Sequence, residues 1–275
     1  LPAYDSVLQG VSGIAGLHDR RDGKAAYAPL LICDHVVGEI AAGAVMAALL
    51  DRASNGEGST IEVPMFETMA AFVLQEHLAR ASFDPPLGPS GDKRLMDPGA
   101  RPVRTADGWI SLTTNTDAQF GAFMRAIGRP ECIVDPRFAS VADRMRNLDQ
   151  WFAIRDAELI RHPTAHWLKV FGEADVPAMP CHSLETLQED PHLDDVCLIE
   201  SDIHPTEGKV VALRPTILRD GEPGPTGQSA QPLGWETRDI LIDMGLDSAL
   251  VDELIERGAA IQHPGVAAKD ETPHA

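Results

Sequence analysis

Residues 82–102 constrain this chain more than any other stretch. They hold Pro85, Pro86, Pro89, Pro98, Pro102, Gly88, Gly91 and Gly99. Proline removes backbone donors and glycine frees the backbone, so neither a helix nor a strand runs through such a segment. The chain is therefore expected to fold on either side of it, with 83–102 as a linker. Its 275 residues suffice for one large domain or two modest ones, and 44% hydrophobic residues are enough for packed cores.

Before the linker the pattern is mostly helical. Residues 1–16 read as a short helix broken by glycine, and 18–24 as a polar turn. Asp34 precedes a helical stretch over 35–53 that Asn55-Gly56-Glu57-Gly58 should stop. Residues 59–65 alternate and are rich in β-formers, which predicts a strand, and 66–81 return to helical period. Beyond the linker, Asp107-Gly108 between 103–105 and 109–114 signals a hairpin. Helices are expected at 117–127, 148–161, 163–174 and 183–189, with a strand at 176–179. Paired strands at 198–203 and 209–213 follow, then a turn-rich 221–232 and a helical hairpin of 237–244 and 248–257. The fold class is α/β. The domains read as 1–82, a small α/β domain at 103–190, a return segment at 191–262 and a disordered polar tail at 263–275.

Charge narrows the partners. Against 23 Lys and Arg stand 42 Asp and Glu, a net charge of −19. Nucleic acid and anionic membrane surfaces need a basic face, so neither is expected. The longest apolar run, 40–50, is shorter than the ~20 residues of a membrane span. The opening residues show no basic-then-apolar pattern of a signal segment. Cys33, Cys132, Cys181 and Cys197 form no CxxC pair and read as reduced cytoplasmic thiols. No metal site is expected; His162 and His166 have chelating spacing but no acidic partner in register. The opening Leu1-Pro2-Ala3-Tyr4 lacks a methionine, so a fragment of a longer protein or a processed product is expected.

Two readings fit Asp34. An aspartate just ahead of a helix can accept backbone N–H bonds as a cap, worth ~1 kcal/mol. The same position at the positive helix end keeps a carboxylate ionised, as a nucleophile requires, and the helix N–H groups could steady an oxyanion. Lys93, Arg94, Arg101 and Arg104 form the best basic cluster, either a solvated linker face or an anion contact. Gly38 fits helix packing or close backbone approach. Gly88 and Gly91 fit a plain linker or a lid. Trp109, Trp151 and Trp167 are expected in the small domain's core.

The order of several short motifs resembles one family. Pro2-Ala3-Tyr4-Asp5 with Gln9 and Ser12-Gly13 opens the series, and Asp34-x-x-x-Gly38 follows. Arg52-x-x-Asn55-Gly56-Glu57-Gly58 leads into Glu62-Val63-Pro64-Met65-Phe66-Glu67. Arg101-Pro102-Val103-Arg104-Thr105-Ala106-Asp107-Gly108-Trp109 comes next. Gly128-Arg129-Pro130-Glu131, Asp135-Pro136-Arg137-Phe138, Val176-Pro177-Ala178-Met179-Pro180, Asp190-Pro191 and Pro232-Leu233-Gly234 complete it. Together, from 1 to about 258, they resemble the C-terminal part of a family III coenzyme A transferase of the CaiB/BaiF type. Where family members often show Gly-x-His-Thr, this chain has Trp235-Glu236-Thr237.

The resemblance implies a partial Rossmann-like large domain beside the small α/β domain, lacking the usual N-terminal Rossmann-like half. It implies Asp34 as the acyl-carrying carboxylate, and Tyr4, Gln9, Gly38, Arg101 and Arg104 as contacts to substrate or CoA. Acyl-CoA and a carboxylic acid would be the substrates, with no further cofactor, and the chain would join an interlocked homodimer. An α-methylacyl-CoA racemase on the same scaffold is the alternative. Its histidine would fall at Tyr4, beside Asp5, and a phenol is a poor exchange base at neutral pH. A catalytically incomplete fragment or assembly subunit is the third reading.

Overall fold

A computed structural model describes residues 4–227 and 229–265. Backbone contacts divide the chain into two compact units, residues 1–181 and 182–275. The division falls at Cys181 rather than at 190.

The leading unit begins with α1 (Asp5–Val11), α2 (Ile14–Asp22), α3 (Ile32–Asn55) and α4 (Met65–His77). Gly13 turns the chain between α1 and α2 with φ 96°, where a side chain would be strained. α3 ends as the sequence predicts: Gly56 takes φ 79° and its N–H reaches the Arg52 carbonyl. These helices share a small core of Leu8, Ile14, Cys33, Val37, Met69 and Val73.

Two expectations for this region change. Residues 59–64 form no strand, because they pair with no neighbouring strand among the described residues, and Met65 already starts α4. Up to residue 82 the described chain holds helices alone. α3 is also longer than the apolar run within it. At 24 residues, with a mean hydropathy of 1.5 over its most apolar 18, it is long and apolar enough to cross a membrane by length and composition. Residues 32–39 and 51–55 extend it on either side of that run, and Asp34, Glu39, Asp51 and Arg52 among them interrupt the apolar sequence.

Residues 82–102 are not a bare tether. The Gly91 and Asp92 amides donate to the His77 carbonyl and ring (2.6 and 3.3 Å), and the short α5 (Lys93–Met96) is capped by Asp92. Lys93 Nζ donates to the Arg146 carbonyl at 3.4 Å.

β1 (Val103–Arg104) and β2 (Trp109–Leu112) form the expected hairpin, and β3 (Ala178–Pro180) adds to β2, all antiparallel. Around them pack α6 (Asp117–Ala126), α7 (Val141–Arg146), α8 (Leu148–Leu159) and α9 (Thr164–Glu173). Asp107, in the hairpin turn, accepts from the Thr164 amide at 2.8 Å and so caps α9 from a distance. The core is aromatic. Phe123 packs edge-on to Trp151 at 5.2 Å and stacks on Phe171 at 5.3 Å, and Trp167 stacks on Phe171 at 5.4 Å. Trp151 and Trp167 are buried as expected, but Trp109 stands exposed beneath the Arg104 guanidinium. It occupies the outward face of the central strand β2, where the inward place belongs to Ile110.

The second unit holds α10 (Leu184–Gln188), α11 (Pro191–Asp195) and the six-residue hairpin of β4 (Ile199–His204) and β5 (Gly208–Leu213). A small hairpin, β6 (Leu218–Arg219) with β7 (Glu222–Pro223), lies within the turn-rich segment. α12 (Thr237–Asp243) and α13 (Ser248–Glu256) follow, capped at α13 by Asp247. Of the expected tail, 266–275 lies outside the described residues.

Candidate active site

The site is assembled where the starts of α1 and α3 meet. α3 begins at Ile32, and its N-cap Leu31 offers no side-chain bond. Asp34 is therefore the third residue of the helix and not its cap. The cap comes from Asp5, which is buried on α1. One oxygen of its carboxylate accepts from the Cys33 amide at 2.7 Å and the Asp34 amide at 3.2 Å. Its other oxygen accepts from Gln9 Nε2 at 2.5 Å. These amides are consequently occupied and do not serve as an oxyanion hole.

Gln9 extends the network. It is buried, one turn beyond Asp5, and its amide spans the segment leading into α3. Nε2 donates to the Leu30 carbonyl at 3.0 Å and the Ala28 carbonyl at 3.3 Å, while Oε1 accepts from the Ala28 amide at 2.8 Å. Burial pushes the Asp5 carboxyl upward, but hydrogen bonds from Gln9, Asp34 and Cys33 outweigh it and hold the group below its ordinary value. Burial, then the nearby Asp5 and Asp34 charges, push the Cys33 thiol up, so it stays protonated.

Asp34 itself is exposed, and its carboxylate makes no hydrogen bond or ion pair among the described residues. Gly38 lies one turn along the same face, also exposed, and a Cβ there would meet nothing within 4 Å. Packing within this chain does not require that glycine. Tyr4 caps α1 in extended conformation and is 78% exposed, so it stands at the joined helix ends beside Asp5. The structure thus gathers Tyr4, Gln9, Asp34 and Gly38. Gln9 is interior and bonds to Asp5. Arg101 and Arg104 belong elsewhere: no hydrogen bond or ion pair joins them to Asp34 among the described residues. Arg101 pairs with Asp156 at 3.2 Å, and Arg104 lies 5.2 Å over the Trp109 ring. Asp5 is the residue that sequence reasoning missed. Its helix-start position and the i,i+4 spacing to Gln9 were the available signal. Among the described residues no three His, Cys, Asp and Glu side chains converge as a metal site.

Residues 1–237 match the model of CoA-transferase family III. The chain belongs to CoA-transferase family III. A succinyl-CoA:glutarate CoA-transferase of Mus musculus is 25% identical over 94% of this chain and 60% of its own length. An acetyl-CoA:oxalate CoA-transferase of Acetobacter aceti is 29% identical over 65% of this chain and 46% of its own. The fold agrees with a CaiB/BaiF family protein from Brucella suis, with a TM-score of 0.67, 21% identity, and coverage of 88% of this chain and 63% of that one. This family III chain therefore has the mixed helix and strand fold of CaiB/BaiF proteins, and it spans at most about 60% of the length of these two curated relatives.

Proposed function

We propose that this chain carries the acyl-accepting carboxylate of a CoA transferase, and that the carboxylate is Asp34. The observation that carries the reading is an exposed, unpaired carboxylate in the first turn of a long helix whose end amides are already satisfied by buried Asp5. Asp5 fixes where that helix end lies, and with it the place of the Asp34 carboxylate.

In this reading Asp34 attacks the thioester carbonyl of the donor acyl-CoA. A C–O bond forms, the C–S bond breaks, and a mixed anhydride and CoA thiolate result. The thiolate attacks the aspartyl carbonyl and expels the first acid, leaving an aspartyl-CoA thioester. The acceptor carboxylate attacks that thioester, releases the thiolate and forms a second anhydride, from which the thiolate takes the new acyl group. Each step exchanges activated acyl species of similar energy, so neither ATP nor a metal is needed. Tyr4 and Gly38 would line the thioester, with Gly38 leaving room along the helix face below Asp34. Arg101 and Arg104 would meet CoA phosphates. Gln9 would position the site through Asp5.

The racemase reading loses ground, because Asp5 is committed as a cap and Tyr4 points to solvent. An assembly role stays compatible with transfer: α3 exposes Val45, Met46, Leu49 and Leu50, which supports a homodimer or a further polypeptide covering that face. Four free cysteines fit a cytoplasmic enzyme.

The test is Asp34→Asn, assayed with succinyl-CoA plus glutarate and acetyl-CoA plus oxalate, the pairs named by the relatives. CoA exchange should fall by several orders of magnitude, with the Asn variant folded. Hydroxylamine during turnover should mark the peptide containing Asp34. Near wild-type exchange in the variant, or a mark on Glu39 instead, sinks the assignment.

A further inference from the structure

In the second unit, Glu200, Asp202 and His204 follow one another at every other position of β4, so their side chains share one face of the hairpin. All three bond to the segment beyond β7. The Thr226 hydroxyl donates to Glu200 Oε2 at 2.6 Å, and the Ser229 hydroxyl donates to Asp202 Oδ2 at 3.0 Å. His204 Nε2 lies 2.8 Å from the Ala230 carbonyl oxygen. Thr226, Ser229 and Ala230 are thus strapped to β4 by side chains.

His204 is the fastening that depends on a proton. Its side chain is buried. A carbonyl oxygen can only accept, so Nε2 carries the hydrogen and donates to Ala230. Nδ1 faces the turn between β4 and β5. There the Thr206 and Glu207 amides donate to it at 3.3 and 3.2 Å, and the Thr206 hydroxyl lies 3.2 Å away. Backbone amides can only donate, so Nδ1 keeps its lone pair. The ring therefore holds strap and turn together in its neutral Nε2–H form. A proton on Nδ1 would set an N–H against two other N–H groups.

The charged groups around the ring offer a protonated His204 no ready partner. Asp202, on the same face of β4, already accepts from Ser229 and from the Ile203 amide at 2.7 Å. Glu207, in the turn, accepts from the Thr206 hydroxyl at 3.2 Å. Glu200 stands four residues away and is bonded to Thr226. Lys209 pairs with Ile203 and so belongs to the other face. Thr226, Ser229, Ala230 and Gln231 carry no ionisable side chain. The two hydroxyl contacts tolerate acid, because a hydroxyl can donate or accept. Nor is the strap otherwise firmly held: Gln231 Oε1 is buried without a partner among the described residues, and its Nε2 donates to the Ser229 carbonyl at 2.9 Å, within the strap itself.

We propose that His204 is an acid-sensitive latch. Neutral, it fastens Ser229 and Ala230 to β4; protonated, it lets them go and loosens the connection into α12 while the rest of the chain stays folded. The proposal does not depend on the role of Asp34.

The experiment is hydrogen–deuterium exchange of the full chain, read by mass spectrometry and corrected for the intrinsic effect of pH on exchange. Between about pH 7.5 and about pH 5.5, peptides holding Ser229 and Ala230 should exchange about tenfold faster, and peptides from the Phe123 core should not change. In His204→Gln the side-chain amide can still donate to Ala230 and does not titrate, so the acceleration should vanish; circular dichroism checks the fold. In His204→Ala the strap should exchange fast at both values. On the unmodified protein, the ring nitrogens seen by NMR near neutral pH should report hydrogen on Nε2 and a bare Nδ1. An Nδ1–H ring, strap exchange that does not respond to pH, or a full response retained in His204→Gln overturns the latch. Acceleration spread equally over the Phe123 core would mean global unfolding and overturns it as well.

Discussion

Residues 103–180 and residues 5–77 hide their apolar side chains to different degrees. The first region buries Phe120, Phe123, Phe138, Trp151, Trp167 and Phe171 in one interlocking cluster. The second buries a cluster of six apolar side chains, with no aromatic ring among them, beneath four helices. Its longest helix, α3, leaves Val45, Met46, Leu49 and Leu50 exposed, and α4 exposes Phe66 and Phe72. The aromatic lobe completes its own core. The helical portion, which carries Asp34, does not, and its order at the site rests on the polar clamp from Asp5 and Gln9. A chain that covers about 60% of the length of the Mus musculus relative is consistent with that asymmetry.

The largest stability effect should come from the complete core. Phe123 is fully buried between Trp151 and Phe171. Phe123→Ala removes a ring from a packed site whose neighbours cannot collapse freely, and should cost ~3–5 kcal/mol in denaturant unfolding. A cost under ~1 kcal/mol would mean that the aromatic lobe is as loosely supported as the helices before it.

The clamp should rank next. Asp5→Ala strips the cap from the Cys33 and Asp34 amides and leaves Gln9 Nε2 without its carboxylate. Buried groups left unpaired in this way cost ~1–3 kcal/mol each. The Asp5 carboxyl is held below its ordinary value in the folded chain, because bonds from Gln9, Asp34 and Cys33 overcome the upward push of burial. Its contribution is therefore complete above the unfolded value of about 3.9 and is lost as pH falls through the lower folded value. Acid titrations of wild type and Asp5→Asn should diverge above that window and converge below it. Parallel curves throughout would remove Asp5 from the role. CoA exchange should also drop in Asp5→Ala although Asp34 is intact, since the start of α3 is no longer held.

The elements legible in the sequence were those whose signals are local. Gly56 ended α3, Asp107-Gly108 made the hairpin, and Pro163 stood at the start of α9, because each acts through its own backbone angles or missing donor. Long-range partnerships were not legible. Asp34 sits where a cap is expected, yet the cap is Asp5, 29 residues earlier in the chain, and only the tertiary contact of α1 with α3 makes it so. Residues 59–64 have a strand's composition without a strand's neighbour, and β-propensity expresses itself only against a partner. Trp109 looked like core by residue type, but the pleat turned it outward. At the site, the motif order led to Asp34 and Gly38 on one open helix face, while the pairing of Arg101 with Asp156 and the seat of Arg104 over Trp109 required coordinates.

The smallest effect expected in the protein belongs to the open face of α3, and it tests the comparison most directly. Leu50 is 73% exposed and Met46 65% exposed. A side chain that stays in water in the folded state loses almost nothing when made polar, so Leu50→Gln should change unfolding free energy by less than ~0.5 kcal/mol. The same substitution at a face covered by another polypeptide would forfeit the burial of a leucine, about 1.5–3 kcal/mol. It would also make the midpoint depend on protein concentration if the cover is a second copy. Chemical denaturation at two concentrations a hundredfold apart separates these cases. A small, concentration-independent change keeps α3 as an open helix and leaves the clamp at Asp5 as the main support of Asp34. A loss of ~2 kcal/mol or more, or a shift with concentration, would show that the helical portion is completed by a partner surface, and the contrast with the aromatic lobe would then belong to the single chain rather than to the assembled protein.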